Sequence, residues 1–176
     1  MAAPFSAAAA HADYKSPSFT QKVVDVMRKH FPEELAERSW DNVGLLLGNL
    51  ETGGSETKNA SPVVLVTNDL TYAVAKEAIA KKASVIVAYH PIIFSGLKSI
   101  TSKDAQQATL ILLASHGIAA VQDGILLFTL FHSNSERGFL RERLVPLLQG
   151  ELTALEAGAK VYMSEVDRDP FEIITV

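Results

Sequence analysis

The feature that most constrains the fold is a β-α-β pattern between residues 62 and 90. Residues 62–66 and 85–88 are short apolar runs rich in β-branched side chains, which is typical of strands buried on both faces of a sheet. Residues 71–82 between them have the length and alanine content of a helix. Such a connection implies parallel strands joined by a right-handed crossover. The sequence therefore predicts an α/β fold, a single domain with a mostly parallel sheet and helices on both faces.

The composition limits which class of protein the chain belongs to and which residues a binding site could use. Of the 176 residues, 48% are hydrophobic and 20% are charged, as in a globular domain. The net charge of −4 gives no basic surface for direct nucleic-acid binding, and no apolar run approaches the roughly 18 residues of a membrane span. The chain has no cysteine, which excludes disulfides and thiolate ligands. Any metal site must therefore use His, Asp and Glu.

The chain divides into a tail, residues 1–17, and one domain, residues 18–176. The tail is Ala-rich and lacks the features of a secretory signal or a transit peptide, so cytoplasm is the default location. We expect Ser18 or Thr20 to cap the first helix, and Pro146 to kink or shorten the end of the last one. The predicted helices are 18–30, 71–82, 102–116 and 133–148, and the predicted strands are 43–47, 62–66, 85–88, 118–121, 124–132 and 160–163, the last one at a sheet edge.

Two histidines, His90 and His132, each end an apolar strand. A single histidine in that position is more often a hydrogen-bonded structural residue than a ligand. Two of them on neighbouring parallel strands would lie side by side at the carboxyl edge of the sheet, where α/β proteins bind ligands. Glu136 follows His132 by four positions, and imidazole with carboxylate suits Zn, Mn, Fe or Co. The alternative is that Ser133 and Glu136 form a capping box, which the spacing alone favours.

Three further residues are expected at the same edge. Asn68 and Asp69 follow the strand 62–66. They are candidates to ligate a metal, to support a metal ligand or to contact a substrate, although such a pair more often caps the next helix. Tyr89 precedes His90 and is a candidate to orient it, or a water, through its hydroxyl. His116 is expected to interact with a helix C-terminus. The chain has no Gly-rich nucleotide loop and no G-x-S-x-G elbow, so neither class has motif support.

Five ordered motifs together resemble the Nif-three-like family, which is also labelled GTP cyclohydrolase I type two-like. The motifs are S-W-D-N-V-G-L-L-L-G (39–48), V-T-N-D-L-T (66–71), Y-H-P-I-I-F (89–94), H-S-N-S-E-R-G-F-L (132–140) and S-E-V-D-R-D-P (164–170). The resemblance implies a two-metal centre in an α/β domain, and a homo-oligomer. The family takes its name from an interaction with a yeast transcriptional coactivator component, so it also implies a protein partner linked to transcription.

The resemblance assigns metal ligands to His90, His132 and Glu136, which reverses the preference for Glu136 as a cap. Tyr89 stands where many bacterial members have a second histidine. The family's S-P-H-T-x-x-D motif, whose Asp bridges the two metals, has no counterpart here. The segment 18–118 resembles the early part of the family's sequence, and the segment 119–176 resembles its late part. The two are joined directly, as in an internally deleted form that lacks the middle region. Without the bridging carboxylate, one ion is expected rather than two.

The sequence therefore leaves several functions open. The first is a divalent-metal-binding protein with a regulatory or interaction role, in the cytoplasm with nucleus or mitochondrion as alternatives. The second is a metal-dependent hydrolase, GTP cyclohydrolase-like or a phosphoesterase, that acts through an activated water. The third is that the shortened chain folds poorly and aggregates through apolar surface that normally meets a neighbour.

Overall fold

The computed structural model describes residues 16–36, 42–50, 61–122 and 136–167. A 3₁₀ turn, Glu33–Leu35, and a π-helical segment, Leu140–Leu144, accompany the regular elements. The helices are α1 (Ser18–His30), α2 (Tyr72–Ala80), α3 (Ala105–Ser115), α4 (Glu136–Phe139) and α5 (Val145–Leu155). The strands are β1 (Gly44–Leu47), β2 (Val63–Thr67), β3 (Val85–Ala88), β4 (Ala119–Gln122) and β5 (Lys160–Met163).

The strands form one five-stranded sheet in the order β1-β4-β3-β2-β5. Strands β2, β3, β4 and β5 are parallel, and β1 pairs with β4 in the antiparallel direction. The predicted mostly parallel α/β sheet is therefore confirmed, and β5 lies at an edge as expected. Because the parallel strands run the same way, their carboxyl ends share one edge of the sheet.

Helices cover both faces of this sheet, as the apolar strands predict. Val64 and Leu65 are neighbours in β2 and both are fully buried, but they belong to different cores. Val64 lies in the core formed with α1 and α5, and Leu65 lies in the core formed with α2 and α3. Alternate residues of a strand point to opposite faces, so a strand that helices cover on both faces is mostly apolar. In β2 the first four residues, 63–66, are apolar, and the buried Thr67 ends the strand.

The helix starts show which residues act as caps. Helix α1 begins after Pro17 without a side-chain cap, so the expectation for Ser18 or Thr20 is wrong. The Thr20 hydroxyl instead donates a hydrogen bond to Asn49 Oδ1 at 2.9 Å. Helix α2 is capped by Thr71, whose Oγ1 accepts from the Val74 N–H at 3.3 Å. That cap leaves the Asp69 carboxylate available for another contact.

The C-terminal end of α3 confirms the expectation for His116. Its Nδ1 lies 2.9 Å from the carbonyl oxygen of Leu112, one of the last carbonyls of the helix. Gly117 follows with a φ of 65°, a left-handed conformation that glycine adopts without steric cost.

The prediction for the last helix is partly wrong. Helix α5 continues to Leu155, well beyond Pro146. Pro146 lies in the first turn of α5, directly after the π-helical segment, where the missing proline N–H removes little from the hydrogen-bond ladder. The predicted strand 124–132 lies outside the described residues. Among the helices in the described ranges, none has both the length and the apolar character needed to cross a bilayer.

Candidate functional site

The backbone brings the ends of β2 and β3 together. The two strands pair in register, with Thr67 opposite Ala88. The ladder continues beyond both strands, since the Tyr89 N–H donates to the Thr67 carbonyl at 3.0 Å and the His90 N–H donates to the Asn68 carbonyl at 3.0 Å. Residues that follow the two strands therefore lie side by side at the carboxyl edge of the sheet.

Asp69 and His90 form the central contact at this edge. His90 Nδ1 lies 2.9 Å from Asp69 Oδ1, and both side chains are less than half exposed. The second carboxylate oxygen of Asp69 accepts from Asn68 Nδ2 at 3.2 Å. In the tautomer that donates Nδ1–H to Asp69, Nε2 carries the lone pair that a metal ion requires.

The pKa of Asp69 lies below its ordinary value. The hydrogen bond with His90 is the largest cause, burial opposes it, and the charge of protonated His90 and the bond from Asn68 also lower the pKa. Asp69 is therefore a carboxylate at neutral pH and a hydrogen-bond acceptor for the imidazole.

Tyr89 supports His90 through its ring. Tyr89 is buried in the core next to α1 and α5, and its ring meets the His90 ring edge-on, with centroids 4.8 Å apart. The carbonyl of Tyr89 accepts from Gln122 Nε2 at 2.9 Å, which ties the end of β3 to the end of β4. The described ring contact holds the imidazole plane against a rigid core residue.

Asp167 and Arg137 are parts of this edge that sequence reasoning missed. The buried Asp167 carboxylate accepts from the Asn68 N–H at 2.5 Å. Arg137 is also buried, with Nη1 3.8 Å from Asp167 Oδ2 and Nη2 donating to the Ser164 carbonyl at 3.0 Å. A sequence signal for both residues exists, because Arg137 lies in the family motif 132–140 and Asp167 lies in the family motif 164–170.

Several buried polar atoms at the same edge have no hydrogen-bond partner in the part of the chain that the structure describes. They are Asn68 Oδ1, Gln122 Oε1, and Nε and Nη1 of Arg137. Burial of such groups is unfavourable, and they concentrate where the carboxyl ends of the parallel strands meet. The described part of this edge therefore contains buried polar atoms as well as packed apolar side chains.

The predicted ligands are only partly placed. His90 lies at the carboxyl edge of the sheet. His132 falls outside the described residues. Glu136 is the first residue of α4, and the structure describes its backbone but not its side chain. Over the ranges 16–36, 42–50, 61–122 and 136–167, no three His, Asp or Glu side chains come together as a metal site. The described part of this set is one imidazole, whose Nδ1 bonds the Asp69 carboxylate. A carboxylate in that position is the partner that a metal-ligating histidine commonly has.

The sequence profile of the family Duf34/NIF3 (NGG1p interacting factor 3) matches residues 19–121. The chain belongs to this family. Within the NIF3 family, the chain is 49% identical over 102 residues to the Protein NIF3 homolog of Schizosaccharomyces pombe, covering 57% of this chain and 34% of the relative. It is 41% identical over 101 residues to NGG1-interacting factor 3 of Saccharomyces cerevisiae, covering 56% and 35%.

Other NIF3-related proteins agree with this assignment. A GTP cyclohydrolase 1 type 2 homolog of Staphylococcus epidermidis is 41% identical over 81 residues, 45% of this chain and 19% of the relative. A crystal structure of a Bacillus cereus protein related to NIF3 superposes with a TM-score of 0.51 and 29% identity, covering 62% of this chain and 28% of that one. The chain thus spans about a third of the length of the two yeast relatives.

The matched region contains Asp69 and His90 but not His132 or Glu136. It ends at Val121, within β4 and close to the predicted junction between the early segment, 18–118, and the late one, 119–176. The polar contacts of Asp167 with residue 68 therefore join the matched region to the part of the chain beyond it.

Proposed function

We propose that this NIF3-family chain binds one divalent metal ion at the carboxyl edge of its sheet. His90 would ligate it through Nε2, and His132 and Glu136 would complete the ligand set. The observation that carries the proposal is the hydrogen bond between Asp69 Oδ1 and His90 Nδ1 at 2.9 Å. A carboxylate on the second ring nitrogen fixes the tautomer and orientation of a ligating histidine and raises its basicity.

The donor set favours Zn, Mn, Fe or Co, and one ion rather than two. Imidazole and carboxylate ligands suit these divalent ions, and the chain has no thiolate to offer. Two ions about 3.5–4 Å apart repel each other unless a ligand bridges them. The three proposed donors, two His and one Glu, leave no carboxylate assigned to that bridging role.

We propose a regulatory or interaction role as the biological use of this site. The support is the name of the yeast relative, NGG1-interacting factor 3, which describes a protein that contacts another protein. A transcription-linked partner, a homo-oligomer and a cytoplasmic or nuclear location are parts of this proposal.

The alternative function is a metal-dependent hydrolase. The name of the bacterial relative, GTP cyclohydrolase 1 type 2 homolog, and the partial exposure of His90 and Asp69 favour it. A bound divalent ion would supply Lewis acidity and lower the pKa of a water. Asp69 would hold His90 in place, and Tyr89 would limit the rotation of its ring.

Elemental mass spectrometry on purified protein tests the metal proposal. We expect about one equivalent of a divalent metal in the wild type, and loss of that metal in His90→Ala and in His132→Ala. His116→Ala is the control, because His116 bonds the end of α3 and should leave the metal content unchanged. Metal-free wild type, or two tightly bound equivalents, would contradict the proposal.

A turnover assay separates the two functions. The metal-loaded protein would be incubated with a panel of nucleotides and phosphodiesters, beside the His90→Ala variant. Metal-dependent turnover that disappears in the variant supports the hydrolase. Stoichiometric metal without turnover supports the regulatory or interaction role.

A further inference from the structure

The short segment after β2 is held from both sides. On the β3 side, the Asn68 carbonyl accepts from the His90 N–H at 3.0 Å. On the β5 side, the Asp167 carboxylate accepts from the Asn68 N–H at 2.5 Å and faces the Asp69 N–H at 3.5 Å. The backbone that carries the Asp69 side chain is therefore fixed between its two neighbours.

Asp167 is itself held in place by buried contacts. Its own N–H donates to the Ser164 hydroxyl at 3.2 Å, and Arg137 Nη1 lies 3.8 Å from its Oδ2. Asp167 and Arg137 are only 4% and 8% exposed. Burial of two charged groups is unfavourable unless their contacts compensate for the lost hydration. The contacts of the Asp167 carboxylate include the backbone N–H groups of residues 68 and 69.

We propose that Asp167 is a positioning residue for the site at His90. It fixes the backbone of residues 68 and 69, that backbone sets the Asp69 carboxylate, and the carboxylate holds His90 Nδ1 at 2.9 Å. A carboxylate that accepts backbone N–H groups makes stronger bonds than a neutral acceptor does. The predicted effect on metal affinity rests on the proposed function, whereas the effect on His90 orientation does not.

The variant that tests this relay is Asp167→Asn, which keeps the shape but replaces one acceptor oxygen with an NH₂ donor. That donor opposes one of the backbone N–H groups of residues 68 and 69. We expect His90 to lose part of its Nδ1–H tautomer, and we expect zinc affinity to fall about 10- to 100-fold, as when a ligand-orienting partner is removed.

The experiment uses ¹⁵N NMR of the imidazole rings in the metal-free full chain, followed by zinc titration against a competing chelator. The His90 signals are assigned by their loss in His90→Gln. Asp69→Asn is the positive reference, because it removes the direct acceptor. Val161→Ala is the matched control, since Val161 is a core residue of β5 that pairs with Val64 and not with residues 68 and 69.

The expected result is a shift of the His90 signals in Asp167→Asn in the same direction as in Asp69→Asn, with Val161→Ala like the wild type. Wild-type His90 signals and zinc affinity in Asp167→Asn would overturn the proposal, and so would an equal shift in Val161→Ala. If the wild type binds no zinc but His90 still responds to Asp167→Asn, the metal proposal fails and the positioning role stands.

A second variant covers the case in which Asp167→Asn does not fold. Ser164→Ala removes the hydroxyl that accepts the Asp167 N–H and leaves the carboxylate in the chain. We expect a smaller shift of the His90 signals in the same direction. A folded Ser164→Ala protein with wild-type His90 signals would then count against the proposal.

Discussion

Asp69 Oδ1 lies 2.9 Å from His90 Nδ1, although the two residues are 21 positions apart and follow different strands. The in-register pairing of β2 with β3 brings them together, because each residue lies just beyond the end of its strand. The pair is the part of the proposed metal site that the described residues supply, and it leads to the first prediction.

Asp69→Asn should weaken zinc binding about 10- to 100-fold, because a neutral amide orients and polarises the imidazole less well than a carboxylate does. Isothermal titration with zinc at neutral pH measures the difference. Asp25→Asn is the control, since the Asp25 carboxylate contacts Gln21 on the exposed side of α1. Equal affinities for Asp69→Asn and the wild type would show that Asp69 does not act on the metal ligand.

Arg137 and Asp167 should be energetically coupled. Removing one member of a buried charge pair costs about 3–5 kcal/mol, because the other charge remains buried without compensation. We expect Arg137→Met to be destabilised by about that amount, and the double variant with Asp167→Asn to be less destabilised than the sum of the single variants. Urea unfolding measures all three.

The exposed Arg141 provides the matched control for that cycle. Arg141→Met should change the free energy of unfolding by no more than about 0.5 kcal/mol. Strict additivity of Arg137→Met and Asp167→Asn would mean that the 3.8 Å approach of the two groups contributes nothing to stability.

Glu77 should make stability depend on pH. Burial raises the pKa of this carboxyl. Hydrogen bonds from the Ser164 hydroxyl and from the Glu165 and Val166 N–H groups, together with the charge of Lys81, lower it by more, so the pKa lies below its ordinary value. A depressed pKa gives stability that is present above the unfolded-state pKa and is lost as the pH falls through the folded-state pKa.

Glu77→Gln should therefore destabilise the protein by about 1–3 kcal/mol at pH 7, and the difference from the wild type should shrink at acidic pH. Urea unfolding at a series of pH values measures it. Glu142→Gln, at an exposed position of the π-helical segment, is the control. A constant difference between Glu77→Gln and the wild type down to acidic pH would contradict the role of the charged form.

Truncation of the inward face of α5 should destabilise the whole sheet. Leu148 is fully buried in the core that α5 shares with α1, so Leu148→Ala should cost about 2–5 kcal/mol. Leu155, on the same helix, is 50% exposed, and Leu155→Ala should change stability by no more than about 0.5 kcal/mol. Chemical denaturation monitored by circular dichroism measures both, and similar effects would mean that α5 does not pack as described.

Much of the fold follows from local sequence patterns. The apolar run 85–88 predicts the bounds of β3, and the run 62–66 predicts β2 within one residue at each end, because strands covered by helices on both faces are mostly apolar. The extent of α5 was not predictable in the same way. Whether Pro146 ends a helix depends on the turn before it, and the π-helical segment Leu140–Leu144 leaves no clear signature in the sequence.

The candidate site was predictable only in part. His90 and Asp69 follow buried strands, and that position is enough to place both at the carboxyl edge. Their direct contact depends on side-chain geometry. The sequence also allows Asp69 to cap the next helix, and the structure shows that Thr71 is the cap instead. Asp167 and Arg137 were missed because their contacts depend on tertiary packing. Asp167 bonds Asn68, which is 99 positions away, and Arg137 bonds the Ser164 carbonyl.

The position of β5 has a consequence for the order of events during synthesis. This strand pairs with β2, and the contact between Asn68 and Asp167 joins residues 99 positions apart. Pairing of β2 with β3 needs only a short, local crossover, whereas the other side of β2 waits until residues 160–163 have left the ribosome. Contacts between distant residues slow folding, and an open strand edge is a template for unwanted pairing. Between the synthesis of β4 and that of β5, the nascent chain therefore leaves one edge of β2 unpaired.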